Sequence, residues 1–250
     1  MMLSIANNEI RRLWLQPLVW VMFGITFIII ALLFLVLLNN FFAETQVKYV
    51  GLANAPGVTD TIIAPLLFWS AIIGAMMMPI FTLRVMTEEK IRKQYVLLST
   101  SPVHAVSITA GKTLGLLSII FAFALLILLF PLLMSMHVEL DWGKIAAGIL
   151  GSILFQLSFA SLCLYLASHT QNIIFSVLSN YAALLFLFML YFSGSAYSSE
   201  STLFIYLSNF SHLLPALTGL ISGQDIFYYL IFASTFFLLT VIQIRFSEQH

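Results

Sequence analysis

The chain has 250 residues, 61% of them hydrophobic and 8% charged, and its ten basic and ten acidic side chains balance to zero net charge. Soluble domains carry roughly 25% charged residues, so this composition cannot supply a water-facing surface and predicts an integral membrane protein whose outer surface is lipid. Zero net charge offers nothing to a nucleic-acid partner, and the single cysteine, Cys163, lies in an apolar run, excludes an intrachain disulfide and reads as a packed thiol.

In chain order, "MLSIANNEIRRLWLQP" comes first. Leu3, Ala6, Ile10, Leu13, Trp14 and Pro17 share one helical face, and Asn7, Asn8, Arg11 and Arg12 share the other. The pattern predicts an interfacial helix over residues 1–17, with Trp14 and Trp20 at headgroup level. Six apolar runs follow, at 18–38, 62–83, 108–136, 145–167, 173–192 and 227–244. A span needs ~20 apolar residues to cross a hydrocarbon core of about 30 Å, and lipid leaves its backbone no partner but itself. All six runs are therefore expected to be transmembrane helices. The first has an apolar core longer than the 7–15 residues of a signal peptide and no small-residue cleavage site after it, so it reads as a retained helix.

Orientation follows from the basic residues. Arg11, Arg12, Arg84, Lys90, Arg92, Lys93, Lys112 and Arg245 fall on one side of a six-span arrangement. Only Lys48 and Lys144 fall on the other, beside Glu44, Asp60, Glu139, Asp141, Glu200 and Asp225. Both termini are then cytoplasmic. Small residues at four-residue spacing, Gly143–Ala147–Gly151 and Gly111–Gly115, predict close helix packing.

The segment "RVMTEEKIRKQYVLLSTSPV" holds six of the twenty charged residues. Burying them at the bilayer centre costs roughly 2.5–3.5 kcal/mol each, so the segment lies outside the membrane. Glu88 with Arg92 and Glu89 with Lys93 are pairs four residues apart, and Ile91, Tyr95 and Leu98 form an apolar stripe. A short amphipathic helix over 86–99 is expected, followed by a Ser101 cap and Pro102 opening the third span. Such a helix can solvate a loop, lie on the membrane surface or present itself to a partner.

Inside the spans, Gln156, Ser158, Ser161, Ser176, Ser179 and Asn180 read as interhelical hydrogen-bonding groups. Gln156, Ser176 and Asn180 are also candidates for lining a substrate path. "AIIGAMMMPI" supplies either an adaptable Met surface or a Pro-kinked core. Residues 193–225 contain no Lys or Arg, yet are too apolar for a solvated loop and too interrupted by Pro215, Gly219 and Gly223 for a span. A re-entrant helical hairpin at about 201–222 is expected there.

No enzyme site emerges. "AGKT" at 110–113 has Val106 where a phosphate-binding loop needs glycine. The "FSGSAYSS" serines lack the Gly-x-Ser-x-Gly pattern. His104, His137, His169 and His212 fall near helix ends, where solvated histidine is the plain reading, and they do not form a metal spacing. No middle third of a span carries a charge, which weakens a secondary transporter.

Three segments resemble the ABC-2 type transporter permeases. In "TEEKIRKQYVLLSTSPVHAVSITAGK" the acidic pair Glu88–Glu89, the pair Leu97–Leu98, the turn Thr100–Val103 and Gly111–Lys112 match the family's pattern after its second span. Lys93, Gln94 and Val96 depart from the family's common Gly-Thr and Glu. "EIRRLWLQPLVWV" is similar to the family's opening, and "ALTGLISGQDIFYYLIF" to the entry of the last span in its gliding-motility branch. The resemblance implies a non-enzymatic permease subunit of an ATP-driven exporter in the bacterial inner membrane. It implies a second copy or a paralogue, and a separate ABC ATPase subunit carrying ATP and Mg. The 86–99 helix is then the coupling helix. Glu88, Glu89, Lys90, Arg92 and Lys93 make polar contacts with the ATPase, while Tyr95, Leu97 and Leu98 fill its groove or anchor the helix. The family also implies a re-entrant pair before the last span. From the residues alone, a non-transporting scaffold that anchors a cytoplasmic partner is the alternative, and a secondary transporter is a weaker one.

Overall fold

A computed structural model describes residues 2–45, 57–87, 104–196 and 202–247. The elements in chain order are α1 (Met2–Trp14), α2 (Pro17–Asn40), α3 (Ala64–Thr82), α4 (Ala105–Ser135), α5 (Trp142–Ser168), α6 (Ile173–Ala196), α7 (Thr202–Leu207), α8 (Asn209–Leu217) and α9 (Gly223–Ser247). Among the described residues there are no strands. Six helices are long and apolar enough to cross a membrane: Pro17–Ala43, Thr59–Met86, Ala105–Ser135, Trp142–Ser168, Ile173–Phe192 and Gly223–Phe246. The second is longer than the apolar run because wide π-helical turns, Thr59–Ile63 and Leu83–Thr87, extend α3 at both ends. The sixth gains a turn at its start, with Gly223, Gln224 and Asp225 as its first residues.

Contacts across the bundle sort the helix ends into two sets. At one end, Met86, Ala105, Ile108, Ala167, Val241 and Ile244 pack together. These are the close of the second span, the start of α4, the close of α5 and the close of α9. At the other end, the backbone N–H of Asp141 donates to Thr59 Oγ1 (3.1 Å), and Lys144 Nζ lies 2.7 Å from Asp60 Oδ1. The first set is the basic end and the second the acidic end. Between them, Leu66, Phe81, Ile120, Phe123, Phe155, Phe159 and Cys163 are fully enclosed in the main core.

Local sequence explains how the helices begin and where they approach. Pro17 opens α2 with its ring-fixed φ. Asp141 caps α5, its Oδ1 accepting from the N–H groups of Gly143 (3.0 Å) and Lys144 (3.2 Å). A Cβ on Gly151 would sit 2.6 Å from the Ala216 Cβ, and one on Gly148 would sit 2.7 Å from Leu67 Cδ1. Gly151 thus admits α8 and Gly148 admits α3, whereas Gly143 meets only its own capping residue. Gly115 sits against Leu13 and Glu9 of α1.

α1 lays one face on α4. Ala6, Glu9 and Leu13 are buried there, while Asn7, Asn8 and Arg11 stay exposed. Trp14 Nε1 donates to Ser118 Oγ of α4 (3.2 Å), and the Trp14 ring stacks on Phe23. Gln16 and Trp20 follow at the turn into α2, the Trp20 indole donating to the Trp14 carbonyl (3.0 Å). Met77 and Met78 are core residues beside Pro79, so the Met run is packed interior except for exposed Met76.

The segment expected to be a hairpin consists of two short helices, α7 and α8, of six and nine residues. Ser208 caps α8, its Oγ accepting from the Phe210 N–H (3.3 Å). α8 ends where Gly219 takes φ +88°, the Leu220 N–H reaching back to the Pro215 carbonyl (3.0 Å). Glycine is needed here, because a left-handed residue closes this helix stop at no steric cost.

Candidate functional site

Three groups of buried polar residues stand out. The first is at the basic end. Lys112, counted from sequence among the loop charges, lies about two turns into α4 and is only 1% exposed. Its ammonium donates to the backbone carbonyl of Val85 and lies 3.7 Å from Glu9 Oε1. Val85 belongs to the last turn before the charged segment. One lysine therefore ties α1, the root of that segment and the start of α4. Gly115, one turn further along α4, lets α1 come close enough for the pair to form. The segment itself, with Glu88, Glu89, Lys90, Arg92, Lys93, Tyr95, Leu97 and Leu98, lies outside the described residues, as do Ser101 and Pro102.

The second group is inside the bundle. Gln156 of α5 and Ser176 and Asn180 of α6 are all buried. Gln156 Oε1 and both amide atoms of Asn180 have no hydrogen-bond partner. A Cβ on Gly74 would be 2.7 Å from Gln156 Oε1, and Tyr181, next to Asn180, donates its hydroxyl to the Met76 carbonyl (3.0 Å). Gln156 thus meets α3 at residue 74, and Tyr181, the residue after Asn180, meets it at residue 76, near the middle of the second span. Pro79 lacks the N–H that would bond the Ala75 carbonyl, so α3 lacks one helix hydrogen bond at this level. Of the other intramembrane polar residues, Ser158 makes an interhelical bond, accepting from Asn209 Nδ2 (3.0 Å). Ser161 and Ser179 instead bond back to carbonyls of their own helices.

The third group is at the acidic end. His212 of α8, expected to be solvated, is 6% exposed and held on both sides. Its Nε2 lies 2.9 Å from the Tyr206 carbonyl, and its Nδ1 lies 2.6 Å from Asp225 Oδ1. A carbonyl only accepts, so Nε2 is the donor to Tyr206, and the Asp225 carboxyl holds the ring from its other nitrogen. Tyr228 stacks on the imidazole, with ring centres 3.9 Å apart. The Tyr228 hydroxyl reaches Leu207 O (2.7 Å) and Asn209 Oδ1 (2.8 Å), and Tyr229 donates to the Asn209 carbonyl (2.7 Å). Ser208 Oγ donates to the Leu187 carbonyl of α6 (3.3 Å). These bonds pin α7 and α8 to α5, α6 and α9. A histidine and an aspartate thirteen residues apart gave no periodic signal; a paired acid in an otherwise apolar helix start was the available hint.

The class this architecture defines is a multi-pass, all-α membrane protein with six helices of spanning length. No protein-family model and no curated protein matches the chain.

Proposed function

We propose that the chain is the permease subunit of an ATP-driven exporter of the ABC-2 type in the bacterial inner membrane. On this reading the basic end is cytoplasmic, both termini included. Residues 86–99 dock on a separate ABC ATPase, which holds ATP and Mg. The chain pairs with a second copy or a paralogue. Closure of two ATPases displaces the docked segments, and the displacement re-orients a path between the permeases.

The observation that carries this reading is the Lys112 junction. A buried ammonium bonded to the last described turn before the charged segment, and paired with Glu9 of α1, is a mechanical root for that segment. It gives a push at residues 86–99 two packed helices, α1 and α4, on which to act. Gln156 and Asn180 support transport over scaffolding. Buried amides without partners cost ~1–3 kcal/mol each, and a static anchor has no use for them. A path opening between α3, α5 and α6 brings them to a polar cargo. The α7–α8 pair, re-entrant on this reading, closes the outer end.

The test is to purify the tagged full-length chain from its native membranes with and without Glu88→Lys plus Glu89→Lys. An ABC ATPase should accompany the unaltered chain and be lost with the double variant, while insertion persists. An accompanying partner without nucleotide activity would favour the scaffold reading. Unchanged ATPase retention in the double variant would overturn the docking assignment.

A further inference from the structure

His212 meets an acceptor at each ring nitrogen, the Tyr206 carbonyl of α7 at 2.9 Å and the Asp225 carboxyl of α9 at 2.6 Å. A neutral imidazole has one N–H to give, and an ionised carboxylate has none. One imidazole hydrogen therefore satisfies one of the two contacts. With a further proton, on the ring or on the carboxyl, both become hydrogen bonds.

The surroundings favour that proton. The face of Tyr228 from α9 stacks on the imidazole, with ring centres 3.9 Å apart, and an aromatic face attracts a cation. Tyr229 of α9 and Tyr206 of α7 meet the ring at 6.2 Å and 5.2 Å, edge to face. From α5, Leu150, Gly151 and Leu154 line the cleft beside it, and Lys144 of the same helix is turned to Asp60. α6 packs on α8 through Phe188 against Phe210 and through the Leu187 carbonyl. Among these described neighbours, Asp225 is the one charged group set against His212. Its side chain is 18% exposed, so the proton has a way in from water at the start of the sixth span.

Losing the proton leaves one N–H for two acceptors. The carboxylate is the stronger acceptor, so the N–H goes to Nδ1 and the Nε2 lone pair is left against the Tyr206 carbonyl. The strain falls on α7, a helix of six residues whose Ile205, Tyr206 and Leu207 are already exposed. Two hydrogen bonds then remain on its described end, from the Tyr228 hydroxyl to Leu207 O and from the Ser211 hydroxyl to Ile205 O. α8 keeps its own ties through Asn209 and the Gly151 contact.

We infer that His212 and Asp225 share one exchangeable proton and act as a latch that holds α7 against α8 and α9 in acid and releases it as the pH rises. This inference needs only the described fold and stands apart from the transport reading.

Hydrogen–deuterium exchange of the full-length chain in lipid vesicles tests it, read by mass spectrometry as protection factors so that the chemical pH dependence of exchange is removed. The range is about pH 5 to 9, which brackets the region where histidine changes charge. Protection over residues 203–213 should fall several-fold from acid to alkaline pH in the native chain, while residues 2–14 of α1 hold. In Asp225→Asn the new amide can donate to Nδ1, so a neutral ring satisfies both contacts. In His212→Gln an amide replaces the titratable ring. Both variants should give a flat profile over 203–213. A flat native profile overturns the inference. So does a fall of native size in either folded variant.

Discussion

Replacing Lys112 with methionine tests the junction at the basic end most directly. The change keeps an unbranched side chain of similar length in a site that is 1% exposed, so packing is nearly preserved and the charge alone is removed. The Val85 carbonyl loses its ammonium donor, and Glu9, whose side chain is 9% exposed, loses the cation 3.7 Å away. At that separation the pair attracts by about 4 kcal/mol for an effective dielectric near 20, most of it offset by the desolvation of both groups. Removing one partner loses the attraction and keeps the other's desolvation, which costs about 3–5 kcal/mol. Removing both restores an apolar contact, and such replacements are near neutral or stabilising. Lys112→Met should therefore be destabilised by about 3–5 kcal/mol, and Glu9→Leu with Lys112→Met should regain most of the loss. Reversible unfolding in mixed micelles, monitored by circular dichroism, reads both. A single variant as stable as the native chain, or a double variant whose loss is the sum of the two singles, would refute a coupled buried pair.

Three other predictions rest on local geometry. Gly151→Ala places a Cβ 2.6 Å from that of Ala216 and should cost ~1–3 kcal/mol by pushing α8 off α5; Gly24→Ala, with nothing within 4 Å, should be neutral or gain up to ~1 kcal/mol, and thermal unfolding of the two side by side gives the contrast. Asp225→Leu leaves His212 Nδ1 buried without a partner and should lower stability by ~1–3 kcal/mol, whereas Asp225→Asn can donate its amide to that nitrogen and should lose less; equal losses in the melting curves would argue against the bond. Asn180→Leu removes a buried amide that has no partner, so the melting temperature should hold or rise, and on the transport reading proposed above ATP-driven export should fall. Full export activity in that variant would remove Asn180 from the path.

The six spans were legible because each is a run of about twenty apolar residues, and lipid enforces helix on any such run. Their ends were less so. The second span reaches Thr59 and Met86 through π-helical turns, and a widened turn has no mark in hydropathy. Two short helices before the last span were legible from Pro215 and Gly219 breaking an apolar stretch. Lys112 was not legible as a buried residue. It sits beside Gly111 at the start of an apolar run, as a flanking loop cation does, and its partner Glu9 is 103 positions away. Glu9 does fall in line with Ala6 and Leu13, so an acid on the apolar stripe of α1 was the visible clue. His212 failed in the same manner, because a histidine near a helix end is solvated unless a neighbouring element covers it, and here α7 and α9 do. Gly148 escaped the four-residue repeat because its neighbour is α3, not the helix that meets Gly151.

The polar bonds are distributed unevenly around α5, and the distribution bears on which parts can move. On one side α5 is joined to the α7–α8 pair through Ser158 and Asn209, and Asn209 is joined in turn to α9 through Tyr228 and Tyr229. Gly151 packs directly on Ala216 there as well. On the other side α5 meets α3 through Gln156, whose Oε1 has no partner, and through the close approach of Gly148 to Leu67, and α3 meets α6 through the Tyr181 bond to the Met76 carbonyl. Separating α5 from α8 and α9 breaks several satisfied buried hydrogen bonds, each costly to leave unmade. At residue 74, separating α5 from α3 breaks no hydrogen bond of Gln156 Oε1 and relieves its burial without a partner. At the acidic end, by contrast, Lys144 with Asp60, Asp141 with Thr59 and Ser208 with Leu187 hold α5, α6 and α8 to their neighbours. At the basic end the same α3 carries Val85, which Lys112 grips. On the transport reading proposed above, a displacement applied at the charged segment reaches, through the end of the second span, the level at which Gln156 meets α3.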